Sequence, residues 1–355
     1  MRERWLTDPV ESIEVGPKSV SRLLEEMEHT AFQGRRLGQA VRIWETMLKE
    51  EGLAIALGLS GSLSTAGQWK IISWLVRNGL VDILVSTGAN ITEDIVEGMG
   101  YRYWRGRPDA PDAELVRDDV NRYYDVYGSE SDYRAMEELL TEFTVSELQP
   151  GKRYSAMEVL HRCGLWLASK GIDSILTAAA ENSVPVFCPA LVDSAFGEAL
   201  LMAANRDHDI TVDQHREFHQ FVGIGERVRD IGVIYLGGGV PKDFTQLLAI
   251  SLSPKNADQE VAGRRGFRRQ SVPEYYYPHR YAVQITTDSP QWGGLSGCTL
   301  EEAISWGKID REGERVTCYC DATIALPLLA HALSERLQKD RRGPDLRGLF
   351  EQGAV

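Results

Sequence analysis

Apolar runs of strand length alternate along this chain with helical patterns, and glycine-rich turns join them. Leu53-Ala-Ile-Ala-Leu-Gly-Leu59 holds no polar residue, which marks a parallel strand buried on both faces. It leads through Ser60-Gly-Ser-Leu-Ser-Thr-Ala-Gly67 into a helical pattern over 69–76. Val81-Asp-Ile-Leu-Val-Ser-Thr87 predicts a second strand, followed by Gly88-Ala89-Asn90 and a short helix with Thr92, Glu93 and Asp94 in its first turn. Together these make a βαβ unit. Further strands are predicted at 184–190, 233–236, 281–287 and 316–321, with helices near 156–170, 194–204, 213–228, 241–251, 299–306 and 323–337. The order implies an α/β fold, a mostly parallel sheet with helices on both faces.

The α/β domain is expected over 51–340, with a helical extension before it (1–50) and a tail after it (341–355). Two segments read as decorations. Residues 101–150, with Tyr123-Tyr124-Asp125-Val126-Tyr127 and Glu137-Glu138, read as helices packed over a sheet edge or an active-site mouth. Residues 253–280, with Arg264-Arg-Gly-Phe-Arg-Arg269 and Tyr275-Tyr-Tyr-Pro278, read as a long loop.

Composition narrows the class. The 355 residues, 43% of them hydrophobic, suffice for a large core. No long apolar run marks a membrane span, and the charged start Met1-Arg-Glu-Arg-Trp-Leu-Thr-Asp8 does not read as a secretory signal, so a cytoplasmic protein is expected. Cys163, Cys188, Cys298, Cys318 and Cys320 are odd in number and lack zinc-type spacing, as expected of reduced core thiols. The formal charge of −13 argues against a nucleic-acid partner and suits a cationic substrate. His215 and His219 stand at helical i, i+4 spacing, but the order is not H-E-x-x-H and no third ligand is evident, so no metal is expected.

The stretch Glu301-Glu-Ala-Ile-Ser-Trp-Gly-Lys308 concentrates the candidate chemistry. An indole face and a carboxylate attract an alkylammonium, and a shielded lysine can act as an amine nucleophile, a grouping suited to imine chemistry on a polyamine. The same residues also read as an ordinary helix end with a core tryptophan. Two glycine turns, Ser60 to Gly67 and Gly237-Gly-Gly-Val-Pro241, follow strands where backbone N–H groups could meet a phosphate, although neither is G-x-G-x-x-G. Asp193, Thr287, Asp288, Asp321 and Ala322 place further groups after strand-like runs, at the end where parallel sheets bind ligands.

These motifs, in order, resemble the deoxyhypusine synthase family and its divergent deoxyhypusine-synthase-like branch. The likeness lies in Thr65-Ala-Gly67, Val81-Asp-Ile-Leu-Val-Ser-Thr-Gly88 with Glu93-Asp94, Pro185-Val-Phe-Cys-Pro-Ala-Leu-Val-Asp193, Gly237-Gly-Gly-Val240 with Lys242, and Glu302-Ala-Ile-Ser-Trp-Gly-Lys308. The resemblance implies a Rossmann-like homotetramer that binds NAD near a subunit interface and transfers the aminobutyl group of spermidine through an imine on Lys308. It further implies that Trp306 stacks on the substrate cation, that Glu302 and Glu93 hold its ammonium groups, and that Glu198 and Ser296 fall in the substrate site. Ser62, Thr65, Thr87, Gly88, Asp193, Thr287, Asp288, Asp321 and Ala322 would line the NAD site.

The chain departs from the family pattern at several of these positions. The family's Lys-His-His step reads Lys242-Asp243-Phe244, its Gly-Ser-Asp-Ser-Gly turn reads Gly293-Gly-Leu-Ser-Gly297, Glu198 replaces an Asp and Thr92 a Glu. Losing a carboxylate at Leu295 while gaining one at Asp243 reads as relocation of the charge that meets the polyamine. The expected activity is an aminoalkyl transfer to a protein lysine or to a small amine, as in homospermidine formation. A catalytically idle NAD- or polyamine-binding homologue and a simple NAD dehydrogenase are the alternatives.

Overall fold

The computed structural model describes residues 5–228, 230–256, 278–336, 341 and 343–351. Its strands are β1 (Leu53–Leu59), β2 (Ile83–Ser86), β3 (Trp104–Arg105), β4 (Val120–Tyr123), β5 (Val126–Ser129), β6 (Arg153–Tyr154), β7 (Val186–Phe187), β8 (Thr211–Val212), β9 (Asp230–Leu236), β10 (His279–Thr286) and β11 (Ile309–Tyr319). Six of them form one sheet in the order β11-β10-β9-β1-β2-β7, with every neighbouring pair parallel. All seven residues of β1 are buried, as an apolar run at the centre of a covered sheet requires. Its side chains alternate: Leu53, Ile55, Leu57 and Leu59 join one core, Ala54 and Ala56 the other. Helices contribute Trp44, Ile72, Leu160 and Leu329 to the first core and Phe221, Leu248 and Leu300 to the second. The sheet is therefore covered on both faces.

From β1 the chain builds outward to β2 and β7, then returns to add β9, β10 and β11 on the other side. The order reverses between β1 and β9, so the turns after these two strands are neighbours at the carboxyl edge, where open α/β sheets bind ligands. Ser60 joins them: its N–H donates to Leu236 O at 3.0 Å and its hydroxyl to Gly238 O.

Three segments show more than the sequence expectation. The amino-terminal helices Val20–Glu28 and Phe32–Lys49 are core elements: Trp44 and Met47 are fully buried, and Gly232 of β9 lacks the Cβ that would collide with Met47 Sδ. Residues 101–150 are not helices alone; β3, β5 and β4 form a three-stranded antiparallel sheet before the helix Glu130–Glu147. The tail packs onto the domain, for Arg341 grips Asp82 at 2.6 and 2.9 Å and donates to Leu53 O and Gly79 O, while Leu346 and Leu349 are buried. The expected loop at 253–280 falls mainly at 257–277, outside the described residues; its first residues finish the helix Gly239–Asn256 and its last begin β10. Among the described residues, no helix is long and apolar enough to cross a membrane.

Candidate active site

Lys308 is placed by a helix that ends abruptly. Thr299 caps the helix Leu300–Ser305, its side chain accepting from Glu302 N at 3.0 Å. Gly307, at φ +74°, donates to Ile304 O at 2.9 Å, and Lys308 N donates to Ala303 O at 3.0 Å. These are the paired bonds of a Schellman cap, which needs a residue that tolerates the left-handed region at position 307. Lys308 O then accepts from His279 N at 2.9 Å, and the chain enters β11. Trp-Gly-Lys is thus a helix stop as well as a chemical grouping.

The Lys308 side chain is 12% exposed and its ammonium donates to Asp243 Oδ1 at 2.6 Å, while its Nζ stands 5.7 Å from the Trp306 ring centre. Trp306 itself is 57% exposed, which excludes the core-tryptophan reading. Glu302 is exposed on the same short helix. Burial pushes the nearby Cys298 thiol up, and the Glu302 carboxylate adds to that push.

A second lysine lies beside this pair. Lys242 is fully buried, and burial lowers its pKa to about 8. That acidity would favour it as a nucleophile, but its ammonium donates to Gln284 Oε1 at 3.0 Å, Leu295 O at 3.3 Å and Cys298 O. Three donated bonds and no exposed surface leave no lone pair for attack.

The loop from Ser289 to Cys298 borders the glycine turn. Ser296 donates its hydroxyl to Asp288 Oδ2, and Asp288 Oδ1 accepts from Ser289 N at 2.8 Å. The Ser296 bond, then the Ser289 bond, holds the Asp288 carboxyl below the usual range. A Cβ on Gly238 would collide with Ser296 Cα, so the turn and this loop touch through backbone. Thr287 is exposed beyond β10; Asp321, beyond β11, accepts from Thr323 N at 2.8 Å as Ala322 opens the last long helix, Ala322–Arg336.

Across the switch point a second group assembles over β1, β2 and β7. Ser62 donates to Glu93 Oε2 and lies 2.9 Å from Thr65 Oγ1; Thr87 donates to Gly61 O at 2.7 Å. Gly88 packs against Ser194 and Asp193 O, so that Asp193, itself exposed, stands next to the β2 turn. Glu93 is 5% exposed, and desolvation raises its carboxyl to about 7 against the opposing Ser62 bond. Glu198 is exposed on the helix Ala195–Ala204. This group follows β1, β2 and β7, on the other side of the switch point from Asp243, which follows β9, and from Lys308, which precedes β11. Thr92 is buried and donates back to Gly88 O at 3.0 Å, as a helix residue.

Sequence reasoning missed Asn90. It is buried, donates to Gly61 O at 2.8 Å and Thr87 Oγ1 at 2.9 Å, and accepts from Leu63 N at 2.7 Å, which fixes the turns after β1 and β2 together. An asparagine inside a helix's first turn was the available signal. His215 and His219 meet edge to face at 4.7 Å on an exposed helix surface, and the described residues contain no group of three or more metal-ligating side chains.

Fold and site together define a doubly wound α/β protein in which a lysine and an indole before β11 meet a carboxylate on the helix after β9. The chain belongs to the deoxyhypusine synthase family, whose model matches residues 22–333. A Methanosarcina mazei protein described as a deoxyhypusine synthase is 39% identical over 94% of this chain and 92% of its own length. One from Archaeoglobus fulgidus is 42% identical over 86% of this chain and 95% of its own. A deoxyhypusine synthase-like protein of Chlorobaculum parvum is 36% identical over 92% of this chain and 89% of its own. A crystal structure from Entamoeba histolytica, described as a deoxyhypusine synthase, shares the fold at TM-score 0.61 and 19% identity, covering 91% of this chain and 96% of that one. Family membership supports a transferase of the deoxyhypusine synthase type.

Proposed function

We propose that the chain is an NAD-dependent aminobutyl transferase that takes its group from spermidine or a related polyamine, carries it as an imine on Lys308 and delivers it to a primary amine. The observation that carries this reading is the Lys308 ammonium, 12% exposed, seated between Asp243 at 2.6 Å and the Trp306 ring at 5.7 Å. An amine so placed has a carboxylate to orient it and an aromatic face on which a second cation can rest.

The carboxyl edge fits the cofactor. Gly61 and Gly239, both at positive φ, have open space where a Cβ would stand, and Gly238 admits no side chain at all. Ser62, Thr65 and Thr87 on one side, with Asp193, Thr287, Asp288 and Asp321 along the edge, would hold the dinucleotide through hydroxyl and carboxylate contacts, and Gly88 and Ala322 through their backbone. When bound, NAD supplies the hydride acceptor that converts the polyamine's secondary amine to an imine and later returns the hydride, so that no net oxidation results.

The chain's own groups carry the remaining chemistry. Trp306 and Glu302 hold the polyamine's cationic end near Lys308. Once its ammonium has passed one proton to Asp243, the Lys308 amine adds to the imine carbon, the bond to the departing diamine breaks, and that diamine leaves with a second proton from the attacking nitrogen. Asp243 orients the Lys308 nitrogen through its hydrogen bond during this exchange. An acceptor amine then displaces Lys308 in the same way. Glu93 and Glu198 follow β2 and β7, on the other side of the switch point from Asp243 and Lys308, and in a homotetramer a second copy would bring such carboxylates to this centre.

Asp243 and Leu295, where the family has a histidine and a carboxylate, favour a changed acceptor, a small diamine in place of a protein lysine. The intact Lys308, Trp306 and Glu302 speak against an idle homologue. The test is borohydride reduction in the presence of spermidine and NAD, with peptide mapping and mass analysis of products formed with putrescine or with a translation-factor lysine. An aminobutyl adduct on Lys308 is expected. An adduct elsewhere, or stoichiometric release of NADH without transfer, overturns the reading.

A further inference from the structure

Lys242 and Asp243 follow one another on the helix Gly239–Asn256, about 100° apart around its axis, and they face different partners. Asp243 meets Lys308. Lys242 turns inward, and its fully buried ammonium donates to the Gln284 side chain of β10 and to the carbonyls of Leu295 and Cys298. Gln284, also fully buried, uses its amide nitrogen in turn on Gly237 O at 3.1 Å and Ser296 O at 2.9 Å. One ammonium and one amide therefore stitch together the glycine turn, the helix, β10 and the loop at 295–298.

Burying an ammonium is costly, and here its hydrogen-bond acceptors are three carbonyl oxygens, with the Tyr235 ring centre 6.0 Å away. Burial shows in the lowered pKa of Lys242. A methionine of similar length would fill the space without that cost, so the retained charge points to geometry that only its three donors enforce. What hangs on the loop is the site itself. Ser296 holds Asp288, and the residue after Cys298 is Thr299, the cap of the short helix that ends at Lys308. Six helical residues and a Schellman cap connect the clamped carbonyl of Cys298 to the nucleophile, so displacement of the loop is passed on to Lys308.

We propose that Lys242 is a positioning residue: its buried ammonium clamps the loop at 295–298 against β10 and the helix Gly239–Asn256, and so sets where Lys308 and Ser296 stand. The kinetic consequence rests on the transfer reaction proposed above; the clamp itself does not. Without the ammonium, Leu295 O and Cys298 O lose their donor, and the turn bonds from Gly297 N and Cys298 N to Gly294 O, both 3.1 Å, lose their support.

The experiment compares Lys242→Met and Lys242→Gln with the wild type by amide hydrogen exchange of the free protein, and then by steady-state transfer from spermidine. In the Met variant, peptides spanning 294–299 exchange roughly tenfold or more faster, while those of β1 keep their protection. Its kcat falls by a similar factor with a smaller change in KM, and the Gln variant, which keeps a donor, recovers part of both. A Met variant with wild-type exchange and wild-type kcat overturns the proposal. If the Met variant does not fold, Gln284→Met severs the same stitch from β10, and unchanged exchange at 294–299 in that variant overturns it equally. If the wild type transfers nothing yet the loop opens in the variants, the reaction assignment fails and the clamp stands.

Discussion

Asp243 and Lys308, sixty-five residues apart in sequence, are joined by a 2.6 Å hydrogen-bonded ion pair. The contact changes how the charge at position 243 is understood. From sequence, a carboxylate gained there offsets one lost at Leu295 and meets the polyamine. In the folded chain one oxygen of that carboxylate faces the Lys308 ammonium, and its side chain, 41% exposed, also stands open to an incoming cation. If Lys308 is the nucleophile proposed above, a group shared in this way affects the chemical step as well as binding.

Asp243→Asn tests which effect dominates. The amide keeps the size and an oxygen acceptor but loses the charge-assisted bond, which is roughly twice as strong as a neutral one. The rate of adduct formation on Lys308, measured by single-turnover trapping, is expected to fall about tenfold to a hundredfold. A rise in the KM for spermidine with an unchanged trapping rate would assign Asp243 to binding alone.

Trp306 gives a cleaner separation, because its exposure removes it from the core. Trp306→Ala is expected to weaken spermidine binding by about 1–2 kcal/mol through the lost cation–π and packing contact. Stability should shift by no more than about 0.5 kcal/mol, as for exposed positions generally. Calorimetric titration and a thermal melt measure both. A large loss of stability with unchanged binding would return Trp306 to a structural role.

How much of this was legible in the chain follows from how local each feature is. β1 was readable because a central strand is apolar on both faces. β11 was only half readable: its first residues, Asp310-Arg-Glu-Gly-Glu-Arg315, are charged, yet they extend an edge strand whose outward side chains pair with neighbours, Arg42 with Glu314 at 2.6 Å and Arg315 with Glu301 at 3.4 Å. The hairpin of β4 and β5 was hidden because its turn is Tyr124-Asp125, with Tyr124 at φ +57° and no glycine to announce it. Trp306, Gly307 and Lys308 lie in one short run and could be read together. The partners Asp243 and Lys242 reach them only through the sheet order, which periodicity does not supply.

Glu93 is expected to give substrate binding a pH dependence. Its carboxyl is raised to about 7 by burial, with the Ser62 hydroxyl pulling the other way. Above that value the group is ionised and attracts an alkylammonium; below it the group is neutral and does not. Alkylammonium groups, with pKa near ~10, stay charged throughout this range, so the titration belongs to the protein. If Glu93 holds a substrate cation, spermidine affinity in the presence of NAD should be level above about pH 7.5 and weaken as pH falls, approaching a tenfold loss per unit at the acid end. Glu93→Gln should bind more weakly at pH 8 and show no such slope, because the amide does not ionise. Isothermal titration from pH 5.5 to 8 makes the measurement, and a slope that persists in the variant would move the titrating group elsewhere and remove Glu93 from the cation site.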